Sequence, residues 1–311
     1  MTGMTFPSQR SLQSSIAIAL TLTLVLVTSA GCPGGGGGGG GNPGGWTVTW
    51  SAPGQAIAEW EHIQVVKNTN DRLKSVPTPP GGTGNAFMFT VLNQDQFAVG
   101  DKCQTIGGGW RAEGIGPHEQ PSNKIIRYEW NTLFENGFPV NPVDASGNAV
   151  WVLFTQWHQK DPSGSNPAIG SSPPIEFIIE KGMLKLRLNR ASQPGPSTEF
   201  TTVDLAPVNP GTWHHWAAEI QWSPTDGSMK VWHDGMIKYD STNPKVQVQT
   251  IFPDPDSPGQ PGDSYLKVGL YRKPVNAPGP WVVLHDEFNR LEQGNASPLP
   301  HPSGTLPICI N

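Results

Sequence analysis

Tyr265-Leu266-Lys267-Val268-Gly269-Leu270-Tyr271-Arg272, together with Phe154-Thr155-Gln156-Trp157-His158 upstream, decides how this chain is read. Both stretches have the character of β-strands, whose successive side chains point to opposite faces. On that reading Gln156 and His158 share one face, and Lys267 and Tyr271 likewise share one.

Working outward, short strand-like runs recur between clusters of Gly, Pro, Asn and Asp, at 86–92, 124–134, 149–158, 175–180, 183–189, 213–222, 229–240, 264–272 and 281–291. Lys181-Gly182 and Asp234-Gly235 sit where tight hairpin turns belong. Helical periodicity of useful length is hard to find. The pattern predicts an all-β chain with one large sandwich or jelly-roll domain over residues 46–311. Some of the twelve tryptophans fill the core, Trp157 among them on the face opposite Gln156 and His158, while one beside a cleft would suit stacking on pyranose rings.

The N-terminus is of another kind. Arg10 precedes a mostly apolar stretch at 16–27, then Ser29, Ala30, Gly31 and Cys32. This reads as a secretory signal peptide over 1–31, too short for a comfortable membrane span. Small residues before Cys32 resemble a bacterial lipobox, with Ser29 departing from the usual leucine; the alternative is an ordinary secretion signal and an incidental cysteine. Residues 34–41 are an unbroken glycine run, so 32–45 reads as a lipidated cysteine with a flexible tether. The expected location is extracytoplasmic, at the cell surface or in the periplasm, or else secreted, with the membrane met only through the lipid anchor.

The net charge is −5 and no basic block is present, which disfavours nucleic acid and heavily sulfated polyanions as partners. Cys103 and Cys309 remain once Cys32 is assigned. In an exported protein an even pair suggests a disulfide, with two free thiols as the alternative.

The polar residues of the two opening strands suit one chemistry. The proton on the uronate carbon beside the carboxylate is weakly acidic until that carboxylate is neutralised, and Gln156, Arg111 or Lys267 offer donors for it. His158, ordinarily near ~6.5, is a base at neutral pH. Tyr271 can protonate the departing glycosidic oxygen, or act as base if cations lower its pKa. Lys267 and Tyr271 stand about 13 Å apart on an extended strand, so Tyr271 is placed at the scissile bond and Lys267 at a neighbouring acidic subsite. Each residue also has a purely structural reading: His158 as a hydrogen-bonded sheet histidine, and Arg111 with Glu113 as an ion pair between strands.

Trp110-Arg111-Ala112-Glu113, the 154–158 strand, the 213–222 strand, the Asp234-Gly235 hairpin and then Lys267 to Tyr271 resemble, in that order, the polysaccharide lyase family that includes heparin lyase I and the glucuronan lyases. The resemblance spans most of 86–291. It implies a β-jelly roll and β-elimination at a uronic acid, and its motifs fall on Gln156, His158, Lys267, Tyr271, Arg111 and Glu113. Gln156, His158 and Tyr271 are assigned to catalysis and Arg111, His118, Lys267 and Arg272 to substrate contact, with His118 as a second candidate catalytic histidine. His118 falls in a turn after the Arg111 strand.

The implied partner is an acidic polysaccharide, acted on by a monomer that requires no cofactor. No HExxH or paired CxxC zinc pattern occurs, and the adjacent His214 and His215 point to opposite faces, so no metal centre is expected. Calcium remains open through Asp254, Asp256 and Asp263, which are equally explained as a surface loop. Two other functions compete. A cell-surface lectin on the same sandwich would bind without producing an unsaturated sugar, and a glycoside hydrolase would need paired carboxylates that the strands do not offer.

Overall fold

Alternation along the strands resolves, in a computed structural model, into two sheets packed face to face. The structure describes residues 45–65, 69–93, 95, 110–159, 172–190, 199–253, 262–273, 275, 279–294, 299 and 308–309, all within one compact unit, Gly40–Asn311. In chain order the strands are β1 (Trp46–Ala52), β2 (His62–Val65), β3 (Leu73–Pro77), β4 (Asn85–Val91), β5 (Trp110–Glu119), β6 (Ile125–Phe134), β7 (Val152–Gln159), β8 (Ile175–Glu180), β9 (Met183–Arg190), β10 (Glu199–Pro207), β11 (Trp213–Gln221), β12 (Ser228–His233), β13 (Met236–Asp240), β14 (Ser264–Arg272), β15 (Trp281–Gln293) and β16 (Ile308–Cys309).

One sheet runs β13-β12-β11-β6-β15-β4-β3, with β1 also pairing β15; the other runs β10-β9-β8-β7-β14-β5-β2-β16. The pairing of β16 with β2 is parallel, while those that build the site are antiparallel. Helix among the described residues is limited to single turns at Ile57–Glu59 and Thr69–Arg72, and no helix among them is long and apolar enough to cross a membrane.

The inward faces meet in an aromatic core. Trp130 lies stacked between Trp216 and Phe288, at 6.1 and 5.1 Å between ring centroids, and meets Trp157 and Phe177 edge-on. Trp157 is fully buried, as its position opposite Gln156 and His158 requires. Close packing also fixes glycines: a Cβ at Gly114 would stand 2.5 Å from the Trp60 ring, and one at Gly269, whose φ is 144°, only 2.2 Å from the Ala112 carbonyl oxygen.

A buried ion pair ties the sheets together. Arg290 of β15 meets Glu119 of β5 through Nε at 2.6 Å and Nη2 at 3.1 Å, and the Tyr128 hydroxyl of β6 donates to the same carboxylate. Two parallel contacts of this kind are the strongest form of charge pairing.

All nine runs expected from the sequence are strands. The 229–240 run is a hairpin, β12 and β13, turning at Asp234-Gly235 with φ of 50° and 76°, and Lys181-Gly182 turns with 53° and 76°. Both dipeptides thus have the two positive φ angles of a type I′ turn. The runs omit β1, β2, β3, β5, β10 and β16; β10 is an edge strand with exposed residues on both faces, so its sequence lacks alternation. His118 lies in β5 rather than in a turn, despite Pro117 beside it. Cys32, Cys103, Asp254, Asp256 and the side chain of Cys309 fall outside the described residues.

Removing one member of the inter-sheet pair strands a buried charge. Arg290→Ala is expected to cost about 3–5 kcal/mol, read as a lowered midpoint of urea unfolding; an unchanged midpoint would show the pair to be dispensable.

Candidate active site

The second sheet turns one face inward to the aromatic core and the other outward, and β14 forms the axis of the outward face. Cross-strand register sets its neighbours: Lys267 stands opposite Gln156, Tyr265 opposite His158 and, on the other side, His118, while Tyr271 stands opposite Arg111 and Leu153. Residues directly opposite in an antiparallel pair share a face, so Gln156, His158, Arg111, His118, Tyr265, Lys267 and Tyr271 all belong to one surface.

At its centre is Glu113, 1% exposed. Its carboxylate receives the Gln156 amide nitrogen at 2.5 Å and the Lys267 ammonium at 2.6 Å, with the Arg111 guanidinium at 3.5 Å. Lys267 also donates to the Gln64 side-chain oxygen at 2.7 Å, and Arg111 reaches that oxygen at 3.3 Å. Gln64 comes from β2, next to β5, and stands opposite Glu113. Four strands therefore contribute to one network.

Burial alone would raise the Glu113 pKa, but Lys267 and Arg111, helped by hydrogen bonds from Lys267 and Gln156, hold it below the ordinary carboxylate value. Lys267 is shifted down to about 8, because burial and the Arg111 charge outweigh the attraction of a carboxylate it must share. Two cations and one anion leave the cluster with one net positive charge beneath a solvent-facing surface.

Beside this cluster, Tyr265 lies between two imidazoles, His158 and His118, each with its ring centroid 5.5 Å away. The His158 Nδ1 lies 2.8 Å from the Gln159 carbonyl oxygen. A carbonyl only accepts, so the ring proton sits on Nδ1 and Nε2 keeps the lone pair. Burial, with the Lys267 charge adding to it, lowers the His158 pKa to about 4. Burial moves Tyr265 the other way, above the ordinary phenol value, and Glu113 adds to the rise. His118 is held by Asp263 at 2.9 Å and Glu61 at 3.5 Å.

No curated protein is recognisably similar to the chain by sequence. The sequence profile of the polysaccharide lyase family, in contrast, matches residues 53–289, and that span contains every residue of this surface. The chain belongs to the polysaccharide lyase family. Among solved structures, the polysaccharide lyase resembles the endo-beta-1,4-glucuronan lyase of the fungus Trichoderma reesei, with a TM-score of 0.57 and 16% identity over 78% of this chain and 95% of that one. Alginate lyase A1-II′, a member of polysaccharide lyase family-7, gives a TM-score of 0.48 and 11% identity over 78% of this chain and 100% of that one. At 16% identity the likeness to the glucuronan lyase establishes the jelly-roll sandwich fold alone.

The lyase places four of the sequence candidates differently from expectation. Tyr271 does not meet His158: it lies opposite Leu153, about 16 Å along β7, where its ring packs under the Arg111 guanidinium at 4.0 Å and against Trp151 at 5.3 Å. The phenol beside His158 is Tyr265, the second residue of the same strand and not among the sequence candidates. Lys267 is not an open subsite cation, since its side chain is 3% exposed and committed to Glu113 and Gln64. Arg272 is turned to the inner face, wholly buried, over the rings of Trp281 at 4.3 Å and Trp110 at 5.4 Å, and cannot touch a substrate on the outer face. His118 is on the outer face as expected, but in the strand. Arg111 and Glu113 do form an ion pair, but within β5 rather than between strands; the cross-strand partner of Glu113 is Lys267.

Replacing Glu113 by Gln leaves Lys267 and Arg111 to repel each other in a buried site. A loss of about 3–5 kcal/mol in stability is expected, with lower activity in whatever protein stays folded; full stability and activity would show that the network does not organise the site.

Proposed function

We propose that this lyase cleaves a uronic-acid-containing polysaccharide, glucuronan-like, alginate or glycosaminoglycan, by β-elimination, with His158 as base and Tyr265 as acid. The observation that carries the proposal is the cross-strand pair itself: a neutral imidazole and a neutral phenol side by side, next to a cluster of net positive charge. Pairs whose surroundings drive their pKa values apart are the usual sign of an acid and a base at work. The resemblance of the motifs to the heparin lyase I and glucuronan lyase family supports a uronate backbone, and the fold shared with the fungal glucuronan lyase agrees with it.

In this scheme the substrate carboxylate approaches Arg111 and the second N–H of Gln156, whose first is held by Glu113. With its charge offset, the C5 proton passes to Nε2 of His158. The C5–H electron pair becomes the C4–C5 double bond, the bond from C4 to the glycosidic oxygen breaks, and Tyr265 gives that oxygen its proton. The sugar left behind is unsaturated. A lectin would bind the same polymers through the same cations and leave no such product.

Ultraviolet absorbance of the C4–C5 double bond, followed over a panel of uronate polymers, separates these readings. Tyr265→Phe and His158→Ala should each lower kcat about 10²–10⁴-fold with polymer binding retained, whereas Tyr271→Phe should change it little. A Tyr265→Phe variant with wild-type turnover would overturn the acid assignment; absence of unsaturated product from every polymer would favour the lectin.

The pH profile follows from the two charged states. His158 works neutral, so kcat/KM for the free enzyme should be lost as pH falls through about 4. Lys267 supplies its charge below its pKa, so kcat/KM should also decline as pH rises through about 8. A profile flat from pH 3 to 10, a window set only by these two expected limbs and the ordinary pKa scale, would exclude both roles.

For location, we propose anchoring through Cys32, supported by the apolar stretch before it and the glycine tether after it. Cys32→Ser should move the protein from membrane to soluble fractions; an unmodified protein found wholly in the soluble fraction would refute the anchor.

A further inference from the structure

On the other sheet, away from the catalytic face, two histidines and an aspartate converge. The sequence separates His214 from His233 by a full strand and turn, and β11 and β12 pair so that they meet. His214 and His215 do point to opposite faces: His214 is buried, whereas His215 is exposed and bonded through Nδ1 to Asn131 at 2.7 Å. The partner of His214 is across the strand. Its Nδ1 lies 2.9 Å from Nε2 of His233, and that same nitrogen is 3.3 Å from Oδ2 of Asp234.

Three donor atoms, one from each residue, all lie within 4.8 Å of one another. In a tetrahedral zinc site with bonds of about 2.0–2.1 Å, neighbouring ligand atoms are roughly 3.3 Å apart. Two of the separations, 2.9 and 3.3 Å, lie at or just below that edge, and the third is no more than 4.8 Å. At 2.9 Å the two ring nitrogens share a hydrogen bond, so one of them carries a proton there that a bound ion would replace.

The surroundings hold the donors in place. Trp216 packs on His233 at 4.5 Å between centroids and stacks on His214 at 6.2 Å. Asp234 is fixed by the type I′ turn, and its second oxygen accepts the backbone N–H of His215 at 2.9 Å, leaving Oδ2 directed at His233. An outer hydrogen bond of this sort is what orients a ligating carboxylate. The Asp234 side chain is 43% exposed, which gives an ion a path from solvent.

We propose that His214, His233 and Asp234 form a binding site for a divalent first-row transition ion, Zn²⁺ or Co²⁺, independent of the elimination chemistry. Two imidazole nitrogens and one carboxylate suit such ions, whereas Ca²⁺ requires six or more oxygens. The ion would clip the β12–β13 turn to β11 and keep its fourth position open to water.

The test uses the purified protein, stripped with a chelator and titrated with Co²⁺. The expected result is one Co²⁺ per chain with the visible absorption of a tetrahedral site, displaced by equimolar Zn²⁺. Asp234→Asn, which keeps a residue tolerant of positive φ at the turn, and His233→Gln should each weaken Co²⁺ binding by about tenfold or more. Circular dichroism establishes that each variant is folded. Wild-type protein that takes up no stoichiometric Co²⁺ overturns the proposal, and so does undiminished uptake by folded Asp234→Asn and His233→Gln. Undiminished uptake together with its loss in His118→Gln would place the ion with Glu61 and Asp263 instead. Because the readout is metal uptake, it stands or falls apart from any lyase assay.

Discussion

A single buried carboxylate organises the outward face of this sandwich. Glu113 is almost wholly removed from water, yet it is ionised because Lys267, Arg111 and Gln156 converge on it from three directions. An isolated carboxylate in such a place would neutralise itself; a paired one becomes a fixed point around which neighbouring strands align. Gln156 arrives from β7, Lys267 from β14 and Gln64 from β2, while Arg111 shares β5 with Glu113. The side chains of four strands thus lose their rotameric freedom before any substrate arrives, which is the kind of preorganisation that electrostatic catalysis requires. The cost of gathering charges is borne by the aromatic core on the reverse side, where Trp130, Trp157 and Trp216 interlock.

The arrangement of this face was only partly legible in the sequence. Period-two alternation was enough to place Gln156 and His158 together and to send Trp157 to the core. It also marked most of the strands, and the Lys181-Gly182 and Asp234-Gly235 dipeptides marked both type I′ turns, because positive φ restricts residue choice strongly. Register was the part that escaped. Tyr265 and Tyr271 have the same parity on the same strand, so sequence alone treats them alike. What separates them is pairing, and β14 carries irregularities between Tyr265 and Lys267 on one side and between Val268 and Tyr271 on the other. Bulges re-aim side chains without leaving a composition signature.

Charged residues misled for a different reason. Strand spacing placed Lys267 at an acidic subsite, and Arg272 stood with it as a second substrate contact. Lys267 instead faces a carboxylate that comes from another strand, and Arg272 spreads over two indole rings on the inner side. Neither partner is near in sequence. The meeting of His214 with His233 is hidden in the same way: adjacency drew attention to His215, which points elsewhere, while the true neighbour lies across a hairpin. In a sandwich the consequential contacts are between strands, and sequence order records them poorly.

The opposite shifts of His158 and Tyr265 have one cause. Burial disfavours charge, and the charged form is the acid for an imidazole but the base for a phenol. The same half-buried surroundings therefore leave His158 able to accept a proton and Tyr265 able to give one. Binding of a uronate would act on both. Its negative charge favours imidazolium and so strengthens His158 as a base at the moment a proton must be taken, while it further disfavours phenolate and keeps the Tyr265 proton in place for the leaving oxygen. The positive cluster around Glu113 opposes that effect on His158, since the Lys267 and Arg111 charges lower its pKa. Arg111 and Gln156 must therefore engage the substrate carboxylate closely enough to stabilise the developing anion, yet leave His158 basic enough to start the reaction. Glu113 sets that balance, because it removes one unit of the positive charge that two cations would otherwise bring to bear on the base.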